Sequence, residues 1–224
     1  MSAAKNYFAW QGRLVTRELG QRVLEIGCGT GNFTGVLLDR ELVIALDREQ
    51  ACVERLLARY PGRQNLRAFP GSVTDAEFGR LAAERIDSCV CLNVLEHIED
   101  DAGALAAMRE ILVPGGAIML IVPAFPALYG PIDRNLGHCR RYRRRDMERL
   151  AREAGLAIVK VHYMNTAGFF GWWWNARVVK REAQSAAQIA FFDRYVVPVM
   201  SAVEGVAKPW FGQSLFAVLR KGGA

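Results

Sequence analysis

VLEIGCGTGNFT, residues 23–34, is the stretch whose reading decides the fold. It begins as a short apolar run and breaks at Gly27-Cys28-Gly29-Thr30-Gly31. Glycines there let backbone or ligand approach where a side chain would obstruct. Such a turn between a first strand and its helix marks the ligand-binding end of an open α/β sheet. The second strand, ELVIALD (41–47), ends on Asp47, 18 residues beyond Gly29. A carboxylate at that point offers two oxygens to the paired hydroxyls of a ribose. Both NAD and S-adenosylmethionine carry such a ribose. A nicotinamide fold wants G-x-G-x-x-G, whereas here the sixth position is Asn32.

The pattern continues outward in alternation. A helix is expected over 5–19 and another over 31–39. REQACVERLLARY (48–60) has helical spacing and stops at Pro61-Gly62. Strands are expected at 64–70, 86–93 and 117–123, with helices at 74–84, capped by Thr74 or Asp75, and at 99–112. The strands are apolar throughout, as in sheets covered on both faces. Strand–helix alternation implies a parallel sheet with right-handed crossovers. After residue 123 the rhythm changes. A proline- and glycine-rich segment runs to about 143, long enough to be functional. A helix (144–154), a strand (156–164), two helices across 166–206 and a last strand (214–220) follow.

Composition bounds the class. Of 224 residues, 51% are hydrophobic and 23% charged, a globular balance. No run of about 18 apolar residues suggests a membrane span. The N-terminal stretch lacks the features of a secretory signal. Five scattered cysteines form no CxxC pair, so neither a disulfide framework nor a metal site is expected, and a reducing cytoplasm fits. Net charge is +6, with eight arginines between 134 and 152 against Asp146 and Glu148. Such a cluster binds phosphates or an anionic membrane surface, or it is a solvated helix face laced with ion pairs. No aromatic-plus-basic module points to nucleic acid.

VLEIGCGTGNFT (23–34), ALDRE (45–49), CLNVLEHIEDD (91–101) and LVPGG (112–116) occur in order. Together they resemble the successive motifs of class I S-adenosylmethionine-dependent methyltransferases over residues 21–123. The remainder resembles a narrower bacterial subgroup, of methyltransferase type 11/12 character, often found beside glycosyltransferases. The matching stretches are 122–142, Asn165 to Asn175, FFDRYVVP (191–198) and FGQSLFAVLRK (211–221). The resemblance implies a Rossmann-like, doubly wound α/β fold. Its seven-stranded sheet is mostly parallel, with an antiparallel last strand and helices on both faces. One domain would span 1–224, with an acceptor-side lid at 123–143 and a helical insertion at 166–206.

The resemblance also implies roles. Gly27, Gly29 and Gly31 would surround the methionine and ribose portions of S-adenosylmethionine, with Cys28 and Asn32 beside them. Glu25 would order the loop or meet the amino group. Asp47 would hold the ribose hydroxyls and Arg48 would flank the adenine. Asn93 and Val94 would lie beneath the sulfonium. Family members often carry Gly-Asp after the third strand; this chain reads Gly71-Ser72-Val73, so Ser72 and Val73 would stand at the adenine. Tyr7 and Trp10 would cover the cofactor or pack on the sheet. Methyl transfer is an in-line displacement that needs positioning above all, and a base only where the acceptor must lose a proton early. His97 and His138 are the candidates for catalysis or acceptor contact, and equally for hydrogen bonds that fix the fold. Tyr129, Arg140, Arg141 and Tyr142 would meet the acceptor, a small molecule, sugar or lipid, and the arginines suit an anionic one, unless Arg140 and Arg141 pair with acids such as Asp133 and merely fix the loop. Trp172, Trp173 and Trp174 cannot all share one helix face. One is expected toward the cleft, a partner or lipid, unless all but one simply pack in the core.

Overall fold

The computed structural model describes residues 4–175 and 185–223. Seven strands form one sheet: β1 (Arg22–Ile26), β2 (Leu42–Asp47), β3 (Leu66–Pro70), β4 (Ile86–Leu92), β5 (Leu112–Pro123), β6 (Leu156–Met164) and β7 (Ser214–Lys221). Their spatial order is β3-β2-β1-β4-β5-β7-β6, and β7 runs antiparallel to both its neighbours. This is the Rossmann-like, doubly wound sheet the sequence implied.

The all-apolar strands divide their side chains between two cores. Leu24, Ile44, Leu46, Ile118 and Leu120 enter one, while Val23, Val43, Ala45, Met119 and Ile121 enter the other. Helices α1 (Lys5–Val15) and α2 (Gln50–Arg59) cover the second core through Trp10, Val15 and Leu56. Helix α3 (Asp101–Ile111) covers the first through Leu105, Met108 and Ile111. Helix α4 (Pro131–Asn135) is short, and α5 (Arg144–Glu153) adds Met147 and Leu150 to the first core. Beyond β6 come α6 (Thr166–Trp174), α7 (Ala186–Phe191), a π-helical turn Phe192–Val196, and α8 (Val197–Val206). The helical stretch expected across 166–206 therefore holds more than two pieces, and its residues 176–184 lie outside the described ones. Among the described residues no helix is long and apolar enough to cross a membrane.

Two expected helices take another form. The segment after the glycine loop is turns and a 3-10 turn at Thr34–Val36. The Tyr60 hydroxyl donates to the Gly31 carbonyl at 2.9 Å, taking an acceptor that an α-helix would need at Gly35. Over 74–84 the chain forms a 3-10 helix, Phe78–Glu84, closed by Arg85 in a left-handed conformation. Asp75 does not cap it; its carboxylate turns back to the Ser72 N–H at 2.7 Å. β5 also starts five residues earlier than expected, at Leu112.

Candidate active site

The sheet order reverses between β1 and β4, and the carboxyl ends of these strands bring the glycine loop against the Asn93 turn. Gly27, Gly29 and Gly31 all have positive φ. The Gly27 and Cys28 amides both donate to the Leu46 carbonyl, at 2.8 and 2.9 Å, so β2 holds the loop down. A Cβ on Gly27 would collide with Val94, whereas one on Gly29 would meet nothing within 4 Å. The loop is thus packed from behind and open in front, a cradle that fits a nucleoside-bearing cofactor. Asp47 accepts from the Gly29 N–H at 2.7 Å and from the Glu49 N–H at 3.0 Å. Each oxygen keeps a free lone-pair direction for a ribose hydroxyl.

Glu25 lies beneath the loop and is buried, accepting the Thr34 hydroxyl at 2.6 Å. Burial pushes its carboxyl up to about 8, with the Asp47 charge adding to the rise. Cys28 is buried and its thiol is raised far above the ordinary range by burial, so it packs rather than reacts. Asn32 hydrogen-bonds Arg59 and Thr30 at the loop's outer side. Beyond β3, Val73 is buried, and the Ser72 hydroxyl is engaged with Thr74 at 2.9 Å. Asn93 takes a left-handed conformation (φ 54°) as β4 ends, with its amide on the Ile121 carbonyl at 2.7 Å and its side chain exposed. Arg48 is exposed.

At the N-terminal helix the expectation divides. Tyr7 is half-buried, with its amide on Asp193 at 2.8 Å and its hydroxyl 3.4 Å from Ser214. Trp10 is 3% exposed and packs in the core that contains Cys28, Phe33 and Leu37. Its burial there is the sheet-packing alternative for this ring.

The segment 124–142 is an anchored excursion, tied at its base by a bridge between Ala124 and Tyr142. At its centre sits Asp133, fully buried. It accepts from Arg141 Nε at 2.8 Å, pairs with His138 Nδ1 at 2.9 Å and receives the Gly130 N–H at 3.0 Å. Burial works against its charge, but these partners together hold its carboxyl below the usual range. Arg141 also donates to the Ala124 carbonyl and lies over the Trp172 ring, 4.6 Å from its centroid. Tyr142 is 1% exposed, its hydroxyl on Asp101 and the Leu95 carbonyl. Arg141 and Tyr142 are therefore internal fasteners in this structure, which for Arg141 is the loop-fixing alternative. Arg140 is more exposed, yet engaged with Asp101 at 2.9 Å and the Glu99 carbonyl at 2.7 Å. Tyr129 donates to the His138 carbonyl at 2.8 Å. Further along, Arg144 and Arg149 pair with Glu148 and Glu153 on α5, the solvated-face reading of the arginine cluster.

His97 and His138 meet edge to face, ring centroids 4.8 Å apart. His97 is exposed, and burial of part of its ring, with His138 beside it, lowers its pKa. Beside them lies Glu96, wholly buried, its carboxyl raised to about 8 by burial. The sequence offers Asp133 as a partner for the arginines but gives no sign that it also takes His138 and the Gly130 N–H, nor that Glu96 is buried. Neither sits in a periodic element where a buried charge would stand out.

Residues 4–161 match the family described as a methyltransferase domain. An uncharacterized 37.1 kDa protein in a transposon of Streptomyces fradiae is 27% identical over 216 residues, covering 89% of this chain and 58% of that one. A probable S-adenosylmethionine-dependent methyltransferase of Mycolicibacterium smegmatis is 34% identical over 112 residues, 50% of this chain and 41% of its own length. A ubiquinone biosynthesis O-methyltransferase of Leptothrix cholodnii is 28% identical over 120 residues, 50% of this chain and 48% of that protein. The chain spans about half the length of the curated relatives it matches. Among solved structures, the YcgJ protein of Bacillus subtilis superposes with a TM-score of 0.64 at 16% identity, covering 97% of this chain and 98% of that one. The N-methyltransferase NodS of Bradyrhizobium japonicum, in complex with S-adenosyl-L-homocysteine, does so at 0.59 and 17% identity, covering 96% and 85%. These two share the fold.

Proposed function

Because the chain belongs to the class I S-adenosylmethionine-dependent methyltransferases, we propose that it moves a methyl group from that cofactor to an oxygen of a small, sugar- or lipid-linked acceptor. The observation that carries the reading is the loop closed behind by Val94 and open in front of Gly29, with Asp47 at its side. When bound there, the cofactor supplies a sulfonium methyl group. The chain's own residues do the rest. Asp47 holds the ribose hydroxyls, the Gly27–Gly31 backbone approaches without side chains, and Asn93 and Val94 floor the reacting end. Arg48, Ser72 and Val73 stand where the adenine would lie. The anchored segment 124–142 walls the acceptor side and keeps water out, which favours displacement. Oxygen as the acceptor atom draws support from the relatives named as ubiquinone biosynthesis O-methyltransferases.

A lipid-linked acceptor has a separate observation behind it. Phe170, Trp173, Trp174, Phe191, Val199 and Trp210 are exposed large apolar residues on and around α6, α7 and α8. Exposed aromatic rings in one stretch of the chain suit a contact surface, and tryptophan suits the membrane interface. Trp172 instead packs in the core against Leu128 and Ile132.

Calorimetry with S-adenosylhomocysteine tests the cofactor. Binding in the micromolar range, roughly −8 kcal/mol, is the expected result. No heat with it or with S-adenosylmethionine would overturn the reading.

A further inference from the structure

We propose that Glu96, His97 and His138 form a binding site for one divalent transition-metal cation at the acceptor side of the cleft. One ligand atom from each of these three residues lies within 4.8 Å of the others, a spread that small side-chain rotations close around an ion. Glu96 supplies the independent observation. Its side chain has no exposed surface, and apart from its own backbone N–H neither oxygen has a hydrogen-bond partner among the described residues. A buried carboxyl with open lone pairs is a donor set that a cation would satisfy. Arg141, whose charge acts on it, is already committed to Asp133.

The histidines are oriented as ligands are. His138 sets its Nδ1 2.9 Å from Asp133, which orients the ring so that Nε2 lies 3.9 Å from Glu96 Oε1. A carboxylate behind a histidine is the usual outer partner of a metal-bound imidazole, fixing its tautomer and raising its basicity. Arg141, Gly130 and Trp172 hold Asp133 in turn, so the ring is set before any ion arrives. His97 lies against the Gly137 backbone and packs edge to face on His138, which keeps its exposed ring at the mouth of the cluster. Two imidazoles and one carboxylate suit zinc, manganese(II) or iron(II), not calcium or magnesium, which take oxygen ligands. The cysteine spacing read in the sequence has no part in it.

Three protein ligands leave coordination positions open, and the exposed member, His97, lies four residues past Asn93. On the methyl-transfer reading, an acceptor hydroxyl would take one of those positions and be held for displacement. The cation site itself does not depend on that reading.

The test uses chelator-stripped protein titrated with zinc and with manganese(II), followed by calorimetry, and with cobalt(II), followed by its visible absorption. One saturable equivalent per chain is expected. His97→Ala and Glu96→Gln should each weaken it at least about tenfold, while His162→Gln, a histidine outside the cluster, should not. His97 is exposed, so its variant decides the matter even where Glu96→Gln fails to fold. Absence of saturable uptake, or uptake that survives His97→Ala, would overturn the proposal. Titrating S-adenosylhomocysteine into the same stripped samples separates the two readings. Loss of cation uptake with intact nucleoside binding sinks the metal site alone, and the converse sinks methyl transfer alone.

Discussion

Asp47, at the end of β2, accepts the Gly29 N–H at 2.7 Å, and this one bond ties the middle of the glycine loop to the neighbouring strand. The acid thus shapes the cradle as well as facing its contents. Asp47→Ala is expected to lower cofactor affinity at least about tenfold and also to cost on the order of 1–3 kcal/mol of stability, since two amides lose a charged acceptor. Calorimetry and thermal melting of the ligand-free protein measure the two losses. A variant that melts like wild type would show that the loop needs no such tie.

The two adjacent arginines should behave differently. Arg141 is buried in its pair with Asp133, and removing one partner of such a pair costs about 3–5 kcal/mol. Arg140 pairs with Asp101 at the surface, where the cost is about 1 kcal/mol or less. Urea unfolding of Arg141→Gln and Arg140→Gln checks this, and the reverse order would contradict the assignment of Arg141 as the fastener of the segment.

Glu25 makes a pH prediction whose sign follows from its direction of shift. Its carboxyl is raised from 4.5 to about 8 in the folded chain. Between those values the folded state keeps a proton that the unfolded state has released, so this group lowers stability as pH rises through the window. Glu25→Gln should therefore flatten the decline in stability between pH 5 and about 8. Chemical unfolding across that range gives the slope, and an unchanged slope would mean the carboxyl is not buried neutral.

The exposed aromatic surface predicts vesicle binding. Sedimentation with anionic phospholipid vesicles should recover the protein, and the double change Trp173→Ser with Trp174→Ser should weaken recovery several-fold without shifting the melting point, because both rings are exposed. Equal recovery of the variant would remove membrane contact from the functional reading.

The sheet was legible because its code is local. Apolar runs such as LVIALD and the Gly27–Gly31 break state strand, turn and ligand end within a few residues. What escaped was set by distant partners. The absent helix at 31–39 depends on Tyr60, nearly thirty residues on, whose hydroxyl claims the Gly31 carbonyl. Arg141 stands close enough to Asp133 in sequence for that pair to be legible as an alternative, but the polar segment gives no sign that Ala124 and Asp101, farther off, complete the burial of Arg141 and Tyr142. Trp10 could be read as cofactor cover or as packing on the sheet, and only the placement of α1, which puts Trp10 in one core with Phe33 and Leu37, distinguishes its burial. In the cleft, sequence reasoning found the residues with motif spacing and passed over Glu96, whose importance lies in having no partner.

The place of β7 bears on how the molecule is assembled on the ribosome. β7 is the last of these strands in sequence, yet it lies between β5 and β6, pairing with β5 from Ala117 to Pro123 and with β6 from Leu156 to Met164. β5 is synthesised almost a hundred residues earlier and must wait with one edge unpaired. β6 is made next and has no other neighbour in the sheet. Until residues 214–221 emerge, the nascent chain carries two open edges rich in Ile, Val and Leu, the kind that pair wrongly with other chains. Holding by a chaperone through that interval, or slow translation just before it, would be expected to matter more for yield than any single contact in the finished cleft.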